Sequence, residues 1–229
     1  YKRQMYNYGW SGTCSPALTN VTFSGNWTAT GVGGAMYNAR SAGVVSPVLV
    51  NCILWGDAFP EIVAADSLAA PTVTYSIVQG GYPGDGNLDQ DPRLDPLGDR
   101  GGSTLTMPLL PGSAALDAGN PAHCPATDQR GVARPQRAGC DVGAYESRGF
   151  TLAWAGGDGQ STLIDTAFAA PLAVALSEVG GGVLPGATIT FTAPAAGASI
   201  APPATVTTAT AASGVASIPV VANGTPGSY

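Results

Sequence analysis

With 229 residues the chain has room for one large or two ordinary domains, and its 9 basic and 15 acidic residues give a net charge of −6 and a pI near 4.4. That balance excludes the basic surface that nucleic acids require, and no apolar run reaches the length of a membrane-spanning helix. Charged residues are only 10 % of the chain, against roughly 25 % in ordinary soluble domains, and the abundance of Gly, Pro, Thr and Ala suits a folded, turn-rich extracellular β protein.

The first signal along the chain is a repeat. MYNY (Met5 to Tyr8) aligns with MYNA (Met36 to Ala39), and SPALTNVTFSG (Ser15 to Gly25) with SPVLVNCILWG (Ser46 to Gly56), without gaps and at an offset of 31 residues. A weaker third copy, PTVTYSIVQGG, runs from Pro71 to Gly81, 24 residues on from Pro47. Periods of this size define a solenoid, which needs about three repeats for stability. Within the copies, Leu18, Val21 and Phe23 alternate with Thr19, Asn20 and Thr22, and Leu49, Cys52 and Leu54 with Val50, Asn51 and Ile53. The alternation slips by one at the Asn, which marks a strand that bends at a corner, and stacked Asn amides can bond one another from copy to copy. The β-branched and aromatic content fits strands. The expected fold is a parallel β-helix. The motifs FSGN (Phe23 to Asn26) and GGAM (Gly33 to Met36) are similar to the repeats of polymorphic outer-membrane proteins, which implies a surface β-helix associated with adhesion; a buried aromatic and a turn Asn explain them more plainly.

Gly84 to Asp91, GDGNLDQD, places oxygens of Asp85, Asn87, Asp89 and Asp91 at alternate positions, a spacing that suits either a solvated turn or a weak Ca²⁺ loop. It departs from the EF-hand pattern, with Gln90 at the sixth position and Pro96 at the twelfth. From Gly102 to Glu146 the chain reads as an end cap: Leu105, Met107, Leu109 and Leu110 pack on the last rung, while Pro111-Gly112, Gly119-Asn120-Pro121 and Arg134-Pro135 force turns. So bent a segment calls for a staple, and Cys124 and Cys140, 16 residues apart, are expected to form a disulfide whose loop closure contributes on the order of 3 kcal/mol. Asp128, Arg130, Arg134, Arg137 and Asp141 read as a loop held by Arg–carboxylate pairs. Cys52 reads as a small buried hydrophobe, and its pairing with Cys14 stays open. With no CxxC and a single His123, zinc is disfavoured. The stretches PGSAALDAGN, TDQRGVARP and CDVGAYE together resemble the C-terminal segment of choice-of-anchor Q domains. That resemblance covers Tyr1 to Glu146 and implies a right-handed parallel β-helix on a bacterial secreted or surface protein, with no catalytic residues to carry over.

After Arg148 the chain has no basic residue and only three acids, Asp158, Asp165 and Glu178, so residues 1–146 and 147–229 read as two domains. The second alternates in short strands: Leu172, Val174 and Leu176; Ala187, Ile189 and Phe191; then Val206 to Thr210 and Val215 to Val221. This spacing suggests a sandwich. GDGQST, TAFAAPLAVAL, PGATITFTAP, SGVAS and ANGTPGSY, in that order, resemble bacterial Ig-like domains of the invasin/intimin group, which implies a spacer. In that group a last strand would start at Tyr229, so the sandwich reads as incomplete; at the other end the chain opens inside a repeat, and both ends read as cuts in a longer protein.

The all-β reading is therefore the C-terminal rungs and cap of a β-helix followed by an incomplete Ig-like sandwich, non-catalytic, extracellular or on a cell surface, with a glycan or a host or neighbour-cell protein as partner. The alternative is the tail of a β-helical polysaccharide lyase or glycoside hydrolase, whose chemistry wants paired carboxylates flanking a cleft or an Arg or Lys base; no outward carboxylate cluster lies on the repeat strands. Tyr1, Tyr6, Tyr8, Trp10, Trp27 and Tyr37 offer a sugar-stacking face, with core filling and stacking between rungs as the plainer role. Asn20, Asn26 and Asn223 head glycosylation triplets that turn chemistry explains more simply.

Overall fold

The computed structural model describes residues 4–28, 33–201 and 205–227; Tyr1 and Tyr229 lie outside them. Among the described residues the chain is all-β, sixteen strands with two 3-10 turns, and it divides into two compact units, Tyr1–Ser147 and Arg148–Tyr229.

In the first unit each repeat supplies one strand to each of several parallel sheets. The first repeat gives β1 (Met5–Gly9), β2 (Thr13–Cys14), β3 (Ala17–Thr19) and β4 (Thr22–Phe23), and the second gives β5 (Met36–Arg40), β6 (Val44–Val45), β7 (Val48–Val50) and β8 (Ile53–Leu54). β9 (Ile62–Ala64), β10 (Thr72–Thr74) and β11 (Ile77–Val78) follow. The sheets are β1-β5-β9, β3-β7-β10, β4-β8-β11 and β2-β6, every pair parallel. Met5 pairs with Met36, Leu18 with Leu49 and Leu49 with Val73, so both sequence offsets are true pairing registers. A one-residue slip would turn each apolar set to the opposite face, which is why the pattern fixes the register.

The corner between consecutive strands falls at Asn20, Asn51 and Tyr75, with φ of 53°, 55° and 49°. Asn tolerates this left-handed region because its side chain bonds locally. Tyr75 holds it through other contacts: its N–H donates to the Asp85 carbonyl at 2.8 Å, and its ring covers Gly86, where a Cβ would come within 2.6 Å. Two side-chain ladders run across the strands. The Asn51 amide donates to Asn20 Oδ1 at 3.3 Å, and Asn7 Nδ2 donates to Asn38 Oδ1 at 2.7 Å inside the stack. The GGA motif also acquires a physical reason, since a Cβ on Gly34 would meet the Ala58 carbonyl oxygen at 2.1 Å.

Two apolar clusters lie on opposite faces of the same strands. Met36, Leu49, Cys52, Leu54, Val73 and Val78 form one, with Leu18, Val21 and Phe23 against it. Ile53 and Ile77, whose side chains alternate with these, pack instead with Leu109, Ala115 and Val142. The segment from Gly102 to Glu146 is thus not stacked on a terminal rung. It runs back along the flank of the repeats and covers the outer face of β4-β8-β11, while Leu105 stays exposed. Asn20, Asn51 and Ile53, placed on the outward side by their alternation, are buried because this segment covers them.

The second unit contains β12 (Phe150–Gly156), β13 (Leu172–Glu178), β14 (Thr188–Thr192), β15 (Thr205–Ala209) and β16 (Val215–Ile218). They form an antiparallel sheet β12-β13-β16 and an antiparallel pair β14-β15. Ile200, Ile218 and Val220 pack with Phe168, Leu172, Phe191 and Val206 between them, which places the alternate apolar positions of β14 and β15 inward and their Thr residues outward.

Candidate functional site

The charged residues of the Gly102–Glu146 segment assemble into one buried network. Arg134 donates through Nη1 to Glu146 Oε2 and the Asp141 carbonyl, both at 2.8 Å, and through Nη2 to the Gly143 carbonyl at 2.7 Å. The side chains of Arg134 and Glu146 are 0 % and 1 % exposed. Glu146 also accepts the Gln136 and Asp141 N–H groups at 2.9 and 3.0 Å. Asp128 accepts the N–H of Arg130 and Val132 on one oxygen and that of Glu146, with Arg130 Nε, on the other. Arg130 lies 3.4 Å over the Tyr145 ring, a cation–π contact. Arg137 reaches Asp117 at 3.6 Å on the surface.

Desolvation sets the titration of this network. Burial pushes the Asp141 carboxyl up to about 7 even though it accepts the Asp117 and Ser147 N–H groups. Burial pulls the Arg134 guanidinium down against the surrounding carboxylates. At Asp128 burial is outweighed by the Glu146 N–H, the Arg130 guanidinium and the Val132 N–H, so its carboxyl lies below the usual range. Asp128 and Glu146 are thus held by fixed backbone and guanidinium donors. The network ties the turns of the Gly102–Glu146 segment to one another.

The disulfide Cys124–Cys140 spans this segment, with Cα atoms 6.2 Å apart. Cys14 and Cys52 are free. Cys52 is fully buried and donates to the Val50 carbonyl, and burial raises its thiol to about 11. The same segment is tied to the repeats by Asn side chains: Asn20 donates to the carbonyls of Asp141 and Gly143, and Asn51 accepts the Asn120 N–H at 2.8 Å while donating to the Asn120 carbonyl at 3.2 Å. The sequence marks Asn20 and Asn51 as ladder residues; the contacts to a segment 69 and 121 positions away have no local signature.

The alternate oxygens of Gly84 to Asp91 go to separate backbone partners. Asn87 accepts the Ser76 N–H and donates to the Val73 and Tyr82 carbonyls, Asp89 accepts the Gly80 N–H, Asp91 that of Arg93, and the Asp85 side chain is exposed. Leu88 bridges to Ile77 as a further parallel pairing, so the Asp/Asn spacing serves a fourth, abbreviated layer of strand. Among the described residues no group of three or more His, Cys, Asp or Glu side chains is placed to hold a metal ion.

The aromatic residues of the first repeat remain. Tyr6, Tyr8 and Trp10 project from the solvent face of β1 and its end, 59 %, 39 % and 70 % exposed. The Tyr6 ring stacks on Tyr37 of the next repeat at 5.5 Å and on Tyr8 at 6.0 Å, and Tyr8 lies 6.1 Å from Trp10. Trp27 is exposed elsewhere in the repeat. The second unit has a cleft of about 770 Å³ bounded by Trp154, Leu163, Ile164, Phe168, Leu172 and Asn223, with hydroxyl groups and the carboxylate of Asp158 also in its lining.

No family model, curated protein or solved structure matches the chain. Among the described residues no helix is long and apolar enough to cross a membrane, and the disulfide suits an oxidising compartment.

Proposed function

We propose that the chain is part of a secreted or cell-surface protein that works by display and adhesion, without catalysis. In this reading residues 1–147 are rungs of a right-handed parallel β-helix of the choice-of-anchor Q kind, sealed along one flank by the disulfide-bonded segment, and residues 148–229 are an Ig-like spacer of invasin/intimin type. The observation that carries the adhesive part is the aromatic row of exposed Tyr6, Tyr8 and Trp10, with the half-buried Tyr37 stacked beside Tyr6. Aromatic rings with a free face stack against the C–H faces of pyranose sugars, and rings already held at neighbouring positions on a strand lose less entropy on binding. The partner is accordingly a surface glycan.

A glycan array with the chain and its Tyr6→Ala/Trp10→Ala variant tests this. Retention of a defined glycan class by the parent, lost by at least tenfold in the variant at unchanged melting temperature, is expected. Equal signals from the two proteins, or none from either, would remove the glycan reading.

A further inference from the structure

The second unit keeps one sheet edge open. β12 is the outer strand of β12-β13-β16, and no strand pairs with its free side among the described residues. On β13 the Leu176 N–H donates to the Gly214 carbonyl, away from β12, and the Val179 N–H donates to the Gly149 carbonyl, toward it. Backbone groups alternate in direction along a strand, and directly opposed residues of an antiparallel pair either both point inward or both point away. Thr151 opposite Ser177 and Ala153 opposite Ala175 therefore bond to β13, and Leu152 and Trp154 turn their N–H and C=O groups to the open side.

The side chains of the same two residues are apolar and uncovered. Leu152 lies opposite Leu176 and Trp154 opposite Val174, so all four share one face of the sheet. Leu172, on that face too, packs in the core with its partner Ile218. Val174 and Leu176 are buried, but Leu152 and Trp154 are 57 % and 53 % exposed. The cover over the core-bearing face thus stops one strand short of the edge. Sheets commonly blunt a free edge with charge, proline, a bulge or a very short strand. β12 has seven residues, FTLAWAG, with no charge and no Pro, and its one irregularity, between Trp154 and Gly156, falls at its end.

We infer that the open side of β12 is a docking edge for a second copy of this chain, β12 pairing with β12 antiparallel about a two-fold axis. This interface is independent of the glycan reading. A two-fold axis brings each residue of the strand close to its own copy, so a charge within β12 would face itself; β12 has none. The charges stand just outside it, Arg148 before the strand and Asp158 after it. Antiparallel self-pairing sets the basic end of each strand beside the acidic end of the other, whereas parallel pairing would set like charges together. The Arg148 guanidinium holds the Gly180 carbonyl through one of its nitrogens, at 2.9 Å. Opposing Leu152 of one copy to Trp154 of the other matches their outward N–H and C=O groups as a hydrogen-bonded pair. The same register brings the two Leu–Trp pairs onto one face and continues the three-stranded sheet across the axis.

Analytical ultracentrifugation and light scattering on the full 229-residue chain test this. The mass is expected to rise from 22.8 kDa toward twice that value as the protein is concentrated from ~10 μM to ~1 mM, the range suited to a small interface. Leu152→Pro removes an outward N–H and no bond to β13, and is expected to keep the protein monomeric at an unchanged melting temperature. Asp158→Arg is expected to weaken the dimer about tenfold at low ionic strength, and Arg148→Asp/Asp158→Arg to restore it. A parent that keeps the mass of one chain throughout would overturn the inference and leave the edge to a strand of another protein. So would a dimer that survives Leu152→Pro, or one that the charge exchange fails to restore. If Leu152→Pro does not fold, Leu152→Lys/Trp154→Lys, which sets like charges against one another across the axis, decides in its place: loss of the dimer supports the edge and its survival overturns it.

Discussion

Asn51 shows how a single side chain joins two distant parts of the chain. Its backbone sits at φ 55°, its amide bonds Asn20 and the Asn120 and His123 carbonyls, and its oxygen accepts the Asn120 N–H. Removing the amide leaves buried donors and acceptors unpaired at about 1–3 kcal/mol each, and replacing Asn by Ala adds left-handed strain of roughly 1–2 kcal/mol. Asn51→Gly removes the bonds but not the permitted backbone. Urea unfolding should therefore place Asn51→Gly about 2–3 kcal/mol below the parent and Asn51→Ala lower again by roughly another 1 kcal/mol; equal loss in the two variants would show that the backbone conformation is not under strain. The sequence announces this residue by the slip in alternation at Asn20 and Asn51, but not the partners beyond its own repeat.

At the scale of elements, the repeat strands were legible and the flanking segment was not, for one physical reason. Strand register follows from a short-range alternation repeated at a fixed offset, so Leu49, Cys52 and Leu54 could be assigned to one face from the chain alone. Packing of Leu109, Ala115 and Val142 on Ile53 and Ile77 depends on where a turn-rich segment comes to rest, and turns do not state a destination. Apolar residues near Leu109 were legible as packing residues; that they cover a sheet face and not a rung end was not. The network and the disulfide hold that cover in place. Arg134→Met would leave Glu146 buried without its guanidinium and should cost about 3–5 kcal/mol, whereas Cys124→Ser/Cys140→Ser should cost on the order of 3 kcal/mol, both read by urea unfolding; a disulfide loss near zero would mean that the ion network alone fixes the loop. Thiol labelling separates the remaining cysteines: native protein should react at Cys14 and not at the buried, weakly acidic Cys52, as mass spectrometry with a maleimide will register, and modification of Cys52 without unfolding would contradict its burial.

For the whole molecule, composition changes just after Arg148 and the chain divides at Ser147; a unit whose single basic residue is Arg148 cannot build the Arg-centred network that organises the other. The shifted carboxyls of Glu61, Asp128 and Asp141 all lie in the first unit. Glu61 and Asp141 are raised to about 8 and about 7 from ordinary values of 4.5 and 3.8. For a raised acid the folded state binds the proton that the unfolded state has released, so its stabilising contribution is complete below the ordinary value and disappears as pH rises through the raised one. Asp128 runs in the opposite sense, its carboxyl being depressed: that contribution is present above 3.8 and is lost as pH falls. The melting temperature should thus peak in mildly acidic solution, decline steadily toward pH 8 and fall again in strong acid. Calorimetry across pH 3–9 on the parent, on Glu61→Gln and on Asp141→Asn would resolve the two contributions, since each variant should flatten the alkaline decline in its own range, Asp141→Asn up to about 7 and Glu61→Gln up to about 8; a parent profile that rises from pH 5 to 8 would show that neither carboxyl retains its proton in the fold.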